Sequence, residues 1–232
     1  MSPVPNIRLN DGAQIPQLGF GMSRIDPDEA KGATLTALNA GYRHIDTAQM
    51  YGNEAQVGEA IRAFDGDRSE VFITSKLNNS NHGRDDALAS FETTLSDLGV
   101  DELDLFLVHW PMPDVGDFVD TWKAMEEIKA SGRCRSIGVS NFQPHHLKRL
   151  AEETETVPSV NQIEVHPYFA RTTCGRSTPR WASPPKPGLR LLKVGCSTTK
   201  CSSTSARLME RPQPRRPCAG TSSGATSSSP DR

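Results

Sequence analysis

Residues 103–109 read Leu-Asp-Leu-Phe-Leu-Val-His, an apolar run that closes on a histidine. The run is too short for a globular helix and lies between Gly99 and Trp110-Pro111. That is the form of a strand buried on both faces, as in a parallel sheet covered by helices. The same form recurs on either side. Residues 71–76 (VFITSK) and 136–140 (SIGVS) run largely apolar and end polar, residues 42–46 (YRHID) and 160–165 (VNQIEV) make two further strands with polar residues toward their ends, and residues 18–20 make a shorter first strand.

Helical signals fill the gaps. Asp26-Pro27-Asp28-Glu29 is a helix start, with Asp as N-cap, Pro at the first helical position and acids in the first turn; that helix runs to Ala40 and stops at Gly41. Residues 53–63 form the next helix. Leu88, Phe91, Leu95 and Leu98 make one stripe ending at Gly99. Phe118, Trp122, Met125 and Ile128 make another, closed by Gly132, and residues 144–153 make a fifth helix through Leu147 and Leu150. Residues 7–9 and 14–15, joined through Asp11-Gly12, read as a leading β-hairpin.

Strand–helix alternation of this kind predicts an α/β fold with a parallel sheet and right-handed crossovers. An open doubly wound sheet and a barrel both satisfy it. No G-x-G-x-x-G follows the first strand, where Gly19-Phe20-Gly21 continues as Met22-Ser23-Arg24. Polar residues close five successive strands: His44 and Asp46, then Lys76, His109, Ser140-Asn141, and Gln162 with Glu164 and His166. Barrels carry their sites at that end of their strands, so the expectation is a (β/α)8-type barrel, incomplete at about six β/α units.

Composition divides the chain of 232 residues at Ala170. Residues 1–170 hold 14 Lys and Arg against 26 Asp and Glu, net −12. Residues 171–232 hold 12 against 2, net +10, with 8 of the 17 Pro, 11 Ser, 8 Thr and 4 of the 5 Cys. The low hydrophobic share of 35% reflects that second stretch. No apolar run is long enough to span a membrane, and the first residues carry no secretory h-region. An odd cysteine count, with Cys134 alone in the first 170 residues, points to a reducing, cytoplasmic setting. The acidic first part argues against a nucleic-acid partner. We therefore expect a partial barrel over 1–170 and a basic Ser/Pro/Arg-rich tail over 171–232.

The strand ends offer one chemical set: Asp46, Lys76 and His109, with Tyr51 in the loop after the second strand. A tyrosine phenol ordinarily titrates near 10, too high for an efficient proton donor at neutral pH. A lysine ammonium beside a phenol stabilises the phenolate, and a carboxylate keeps that lysine charged and oriented. A neutral histidine can hold a carbonyl oxygen in line with the phenol proton. Reduction at the carbonyl carbon then needs a hydride, which only a cofactor can supply. Taken singly, each residue has a structural reading. His44 suits a core position, Arg43 a surface cation, and His145 and His146 a solvated helix start. Glu164 and His166 lack any set with zinc spacing around them, so no metal is expected.

Residues 41–48 (GYRHIDTA) followed by 51–54 (YGNE) resemble the first signature of the aldo/keto reductases. Lys76 closing VFITSK, then residues 108–111 (VHWP), 136–142 (SIGVSNF) and 160–167 (VNQIEVHP), match the later signatures in order. The likeness spans residues 1–170 and is to bacterial members that reduce 2,5-diketo-D-gluconate and related carbonyls. It implies a (β/α)8 barrel that binds NADPH and reduces small aldehydes, ketones or keto sugars. The residues it implies are Tyr51 as proton donor, Lys76 and Asp46 as its tuning pair, and His109 as the orienter of the substrate carbonyl. It further implies Ser140, Asn141 and Gln162 as holders of the nicotinamide carboxamide, and Trp110 as a wall of the substrate pocket. Ser23 and Asn78 stand where family members carry aromatics, which implies a more open and polar pocket. A monomer acting on a small-molecule carbonyl is the expected state.

The resemblance also implies two further strands, and residues 171–232 carry no pattern for them. The family's Lys-Ser and the Arg that binds the 2′-phosphate are absent there, as is the aromatic that stacks on the nicotinamide. We read this as a frameshift near residue 170. Taking the third base of each codon with the first two of the next, Lys186-Pro187-Gly188-Leu189 can yield Ala-Trp-Ser. Residues 191–200 can yield Pro-Gln-Gly-Arg-Val-Leu-Asp-Asp-Glu, similar to the family's seventh-strand segment. The alternative is a genuine basic tail. The expected consequence is a weakened grip on NADPH. A non-catalytic product that keeps the four residues by descent is the competing functional reading.

Overall fold

Six parallel strands in sequence order form the sheet that positions the site. The structure is a computed structural model and describes residues 4–165. Two antiparallel strands come first, β1 (Asn6–Arg8) and β2 (Gln14–Pro16). The sheet follows as β3 (Phe20–Gly21), β4 (His44–Asp46), β5 (Phe72–Leu77), β6 (Leu103–Val108), β7 (Cys134–Ser140) and β8 (Asn161–Gln162), each parallel to the next. Helices α1 (Pro27–Asn39), α2 (Glu54–Ala63), α3 (Arg84–Leu98), α4 (Phe118–Ala130) and α5 (Pro144–Glu153) make the five crossovers. The expected alternation and hairpin are present. The tail and the two closing strands of the sequence reading lie outside the described residues.

Side chains alternate between two apolar layers. Ile45, Ile73, Phe106, Val108, Ile137 and Val139 face the helices, where they pack with Phe91, Trp122 and Met125. Phe72, Leu105, Leu107 and Val160 face the other way and pack with Leu9 and Ile15 of the hairpin. Burial on both faces explains why these strands read as nearly unbroken apolar runs. At Gly138 a Cβ would meet the Val160 carbonyl and the Leu107 side chain, both at 2.7 Å, so the inner face closes tightly there.

The hairpin is fastened at the end of the sheet opposite the site. Asp11 Oδ2 accepts from Ser136 and Ser159 hydroxyls, both at 2.8 Å, and from Lys129 Nζ at 3.0 Å. Those bonds hold its carboxyl below the usual range although burial alone would raise it.

Several sequence expectations change: β3 is Phe20–Gly21 rather than 18–20, and β4 is His44–Asp46 rather than 42–46. β8 covers only Asn161–Gln162 rather than 160–165, because its partner β7 ends at Ser140 and Asn141 turns away with φ of 63°. The ladder between β7 and β8 therefore stops at Ser140 and Gln162. Asp26 occupies the N-cap of α1, but its side chain makes no capping bond; Pro27 and the acids of the first turn carry the start. His146 is not merely solvated: its Nδ1 accepts from the Gln143 backbone at 3.2 Å, and its ring packs edge-on against Phe118 and Phe142.

Candidate active site

Asp46 and Lys76 sit at the ends of neighbouring strands, β4 and β5, on the inner face. Both are buried, at 8% and 2% exposure. Lys76 Nζ donates to Asp46 Oδ1 and, at 2.9 Å, to the Thr47 carbonyl. Burial by itself would lower the lysine pKa; the Asp46 carboxylate outweighs it, with help from Tyr51, and holds Lys76 above its ordinary value. Asp46 is the mirror case. Burial would raise it, and the Lys76 ammonium, His44, and a bond from Gln162 hold it below the carboxylate range. The pair therefore stays ionised inside the sheet, where each charge is costly without the other.

Tyr51 lies beside that pair. It ends a 3-10 turn, Gln49–Tyr51, and Gly52 follows with φ of 65°, a left-handed conformation that suits glycine. Lys76 Nζ is 5.1 Å from the Tyr51 ring centroid, and the phenol acts on Lys76 through charge and hydrogen bonding. His109, one residue past β6, meets the Tyr51 ring edge-on at 5.8 Å between centroids. Burial and the Lys76 ammonium push the His109 pKa down to about 4, so the imidazole is neutral near pH 7. Its Nδ1 has no hydrogen-bond partner among the described residues.

On the same rim, Ser140, Asn141 and Gln162 form one connected group. Ser140 Oγ donates to the Gln162 carbonyl at 3.0 Å, and Asn141 Nδ2 donates to Ser140 Oγ at 3.1 Å and to the His109 carbonyl at 3.2 Å. Gln162 Nε2 reaches Asp46 Oδ2 at 2.6 Å. Trp110 is 42% exposed at the edge of this rim. His82, on the loop after β5, shares a hydrogen bond with Thr121 Oγ1 at 3.1 Å and another with the Trp110 backbone, which ties the two loops together.

Asp46, Tyr51, Lys76, His109, Trp110, Ser140, Asn141 and Gln162 thus gather at one end of the described sheet, while His166 lies outside the described residues. His44 is a core histidine beneath them, with Nε2 bonded to Thr74 Oγ1 at 2.9 Å and its pKa pushed by burial to about 4. Sequence reasoning missed the residues that hold the Tyr51 turn. Asn53 is buried; it accepts from Thr47 Oγ1 at 2.7 Å and donates to the Met22 and Ile25 carbonyls at 3.1 and 3.0 Å. Gln49 and Glu54 make further bonds, described below. Their signal was their place within two or three residues of Tyr51, in a stretch with no apolar residue but Met50 and Ala48.

Polar residues drawn from successive strand ends onto one rim of a parallel sheet curled far enough for its second and last strands to touch are the arrangement of α/β-barrel proteins. The chain belongs to the aldo/keto reductase family, whose model matches residues 16–176. It is similar to an aldo-keto reductase of Mycobacterium sp. (strain KMS), 53% identical over 166 residues, which are 72% of this chain and 60% of that protein. It is similar to 2,5-diketo-D-gluconic acid reductase B of Corynebacterium sp. (strain SHS752001), 46% identical over 169 residues, 73% of this chain and 61% of that one. Among solved structures, a Bombyx mori aldo-keto reductase in complex with NADP is 40% identical, with a TM-score of 0.66 over 71% of this chain and 59% of that one. The chain spans about three fifths of the length of these curated relatives.

Proposed function

We propose that this chain carries the catalytic half of an NADPH-dependent carbonyl reductase acting on small aldehydes, ketones or keto sugars. The observation that carries the reading is the buried, ionised Asp46–Lys76 pair with Tyr51 against its ammonium and His109 against Tyr51. The donor set fits the cofactor's nicotinamide end: Ser140, Asn141 and Gln162 offer a hydroxyl and two amides, the groups that match a carboxamide's own donor and acceptors. NADPH bound there supplies the hydride.

The chain's own residues then divide the remaining work. Tyr51 holds the proton destined for the carbonyl oxygen, and the Lys76 ammonium stabilises the phenolate left behind. Asp46 keeps that ammonium charged and fixed. His109, neutral and buried, donates to the same oxygen and sets its direction toward Tyr51. A preorganised ammonium and imidazole in a water-poor site act more strongly than they would in solvent. Ser23 and Asn78 leave the pocket wall more open and polar, which favours hydroxylated carbonyls over flat aromatic ones. The relative that reduces a diketo-gluconate by its name supports this class.

The test is NADPH oxidation by the full chain across a panel of aldehydes, ketones and keto sugars. Turnover that favours hydroxylated carbonyls supports the proposal. NADPH binding with no turnover of any carbonyl favours the non-catalytic reading instead.

A further inference from the structure

The Tyr51 turn is anchored to the Lys76 strand at two points that bracket both residues. Two positions before Tyr51, Gln49 Oε1 accepts from the backbone N–H of Asn78, two positions after Lys76, at 2.8 Å. Three positions after Tyr51, Glu54 Oε1 accepts from Ser75 Oγ, one position before Lys76, at 2.5 Å. The two anchors are joined. Gln49 Nε2 donates to Thr94 Oγ1 at 2.8 Å and to the Ser90 carbonyl at 2.7 Å, and Thr94 is also hydrogen-bonded to Glu54. The Ser90 hydroxyl donates to Gln49 Oε1 at 2.8 Å, so both ends of the Gln49 amide are engaged with α3.

This network adds side-chain anchors on α3 and the end of β5 to those that Asn53 makes with Thr47, Met22 and Ile25. The turn's backbone bonds are local: Tyr51 to the Ala48 carbonyl at 2.9 Å and Gly52 to the Gln49 carbonyl at 3.1 Å. A 3-10 turn of three residues has poor hydrogen-bond geometry and is marginal alone. The Tyr51 ring is half-buried and packs against the core on one side, so polar anchors on its turn share in setting its place. Glu54 is buried on the helix side of the sheet, and burial raises its pKa. A carboxyl placed there for charge would be poorly placed, whereas one placed as an acceptor for Ser75 and Thr94 is fully used.

We propose that Gln49 and Glu54 are positioning residues that set the distance between the Tyr51 phenol and the Lys76 ammonium. Resting on the carbonyl-reductase reading, this makes the β4–α2 turn and the end of β5 one rigid unit. Neither residue touches substrate or cofactor; both act through Tyr51. Displacing an acid by even about 1 Å from its productive geometry lowers rate by about 100-fold.

The test follows Tyr51 itself. The full chain has three tyrosines, Tyr42, Tyr51 and Tyr168. Fluorotyrosine labelling gives each a fluorine resonance, and Tyr51→Phe identifies the one from Tyr51. The expected result is that Gln49→Met and Glu54→Leu move or broaden the Tyr51 resonance, while Glu54→Gln, which keeps the acceptor for Ser75, leaves it in place. With a carbonyl substrate, kcat falls about 10- to 100-fold in the first two variants at unchanged NADPH affinity, and Glu54→Gln retains most of it. Ser75→Ala removes one oxygen and tests the second anchor if the larger changes unfold the chain; it moves the same resonance. A Tyr51 resonance unmoved in folded Gln49→Met, Glu54→Leu and Ser75→Ala overturns the proposal. The resonance is read without turnover. A chain that reduces no carbonyl yet shows the shifts retains the clamp and loses only the functional reading.

Discussion

Gln162 Nε2 donates to Asp46 Oδ2 at 2.6 Å, across 116 positions of sequence and from the last described strand of the sheet to its second. The contact is possible only because the sheet curls. It also gives both carboxylate oxygens of Asp46 a donor, since Lys76 takes Oδ1. A buried carboxylate so satisfied holds Lys76 in one place, and Lys76 in turn faces Tyr51.

Removing the lysine tests that chain of dependence first. Lys76→Met leaves Asp46 buried without its counter-charge, which destabilises by about 3–5 kcal/mol. Urea denaturation should show the loss in its midpoint, and turnover should disappear. Asp46→Asn keeps a hydrogen-bond acceptor for Lys76 and bears on the same pair from the other side. A Lys76→Met chain as stable as the parent would mean that the pair is hydrated rather than buried.

Acid should weaken the fold in a defined window. His44 and His109 are both neutral in the folded chain, with pKa values near 4 against about 6.5 when unfolded. Between those values the unfolded chain binds more protons, so stability declines as pH falls from about 6.5 to about 4. Each histidine contributes about 3 kcal/mol by the lower end of the window. Denaturation midpoints measured through that range should fall, and His109→Leu should flatten part of the slope. A midpoint independent of pH there would contradict the burial of both rings.

The hairpin supplies a control at the opposite end of the sheet. Asp11→Ala removes one acceptor shared by Ser136, Ser159 and Lys129. It should lower stability by about 2–4 kcal/mol and leave kcat within a factor of about two, because nothing it touches reaches the rim. A large change in kcat with intact stability would show coupling between the two ends that these contacts do not provide.

Much of the fold and the rim is legible in the amino-acid pattern. The apolar runs at residues 71–76 and 103–109 carry the fold, because burial on both faces leaves an unbroken pattern. Asp46, Lys76, His109, Ser140 and Gln162 are visible as polar closings of successive strands, since a strand end that stays polar beside a buried run needs a reason. Gln49 and Glu54 are not. Their partners are a backbone N–H, a backbone carbonyl and three hydroxyls on other elements, and no spacing in sequence encodes such contacts. The shortness of β8 is equally hidden, because VNQIEV has full strand character and stops pairing only where β7 turns away at Asn141.

The most direct measurement compares the full chain with Tyr51→Phe, using NADPH absorbance for turnover and tryptophan fluorescence quenching for cofactor binding. The phenol oxygen is the only atom removed, and Lys76, Asp46 and His109 stay in place. Tyr51 as the proton donor predicts unchanged NADPH binding and turnover lowered by about 100-fold or more, the scale of losing a positioned acid. Turnover that survives Tyr51→Phe at the parent rate would contradict it.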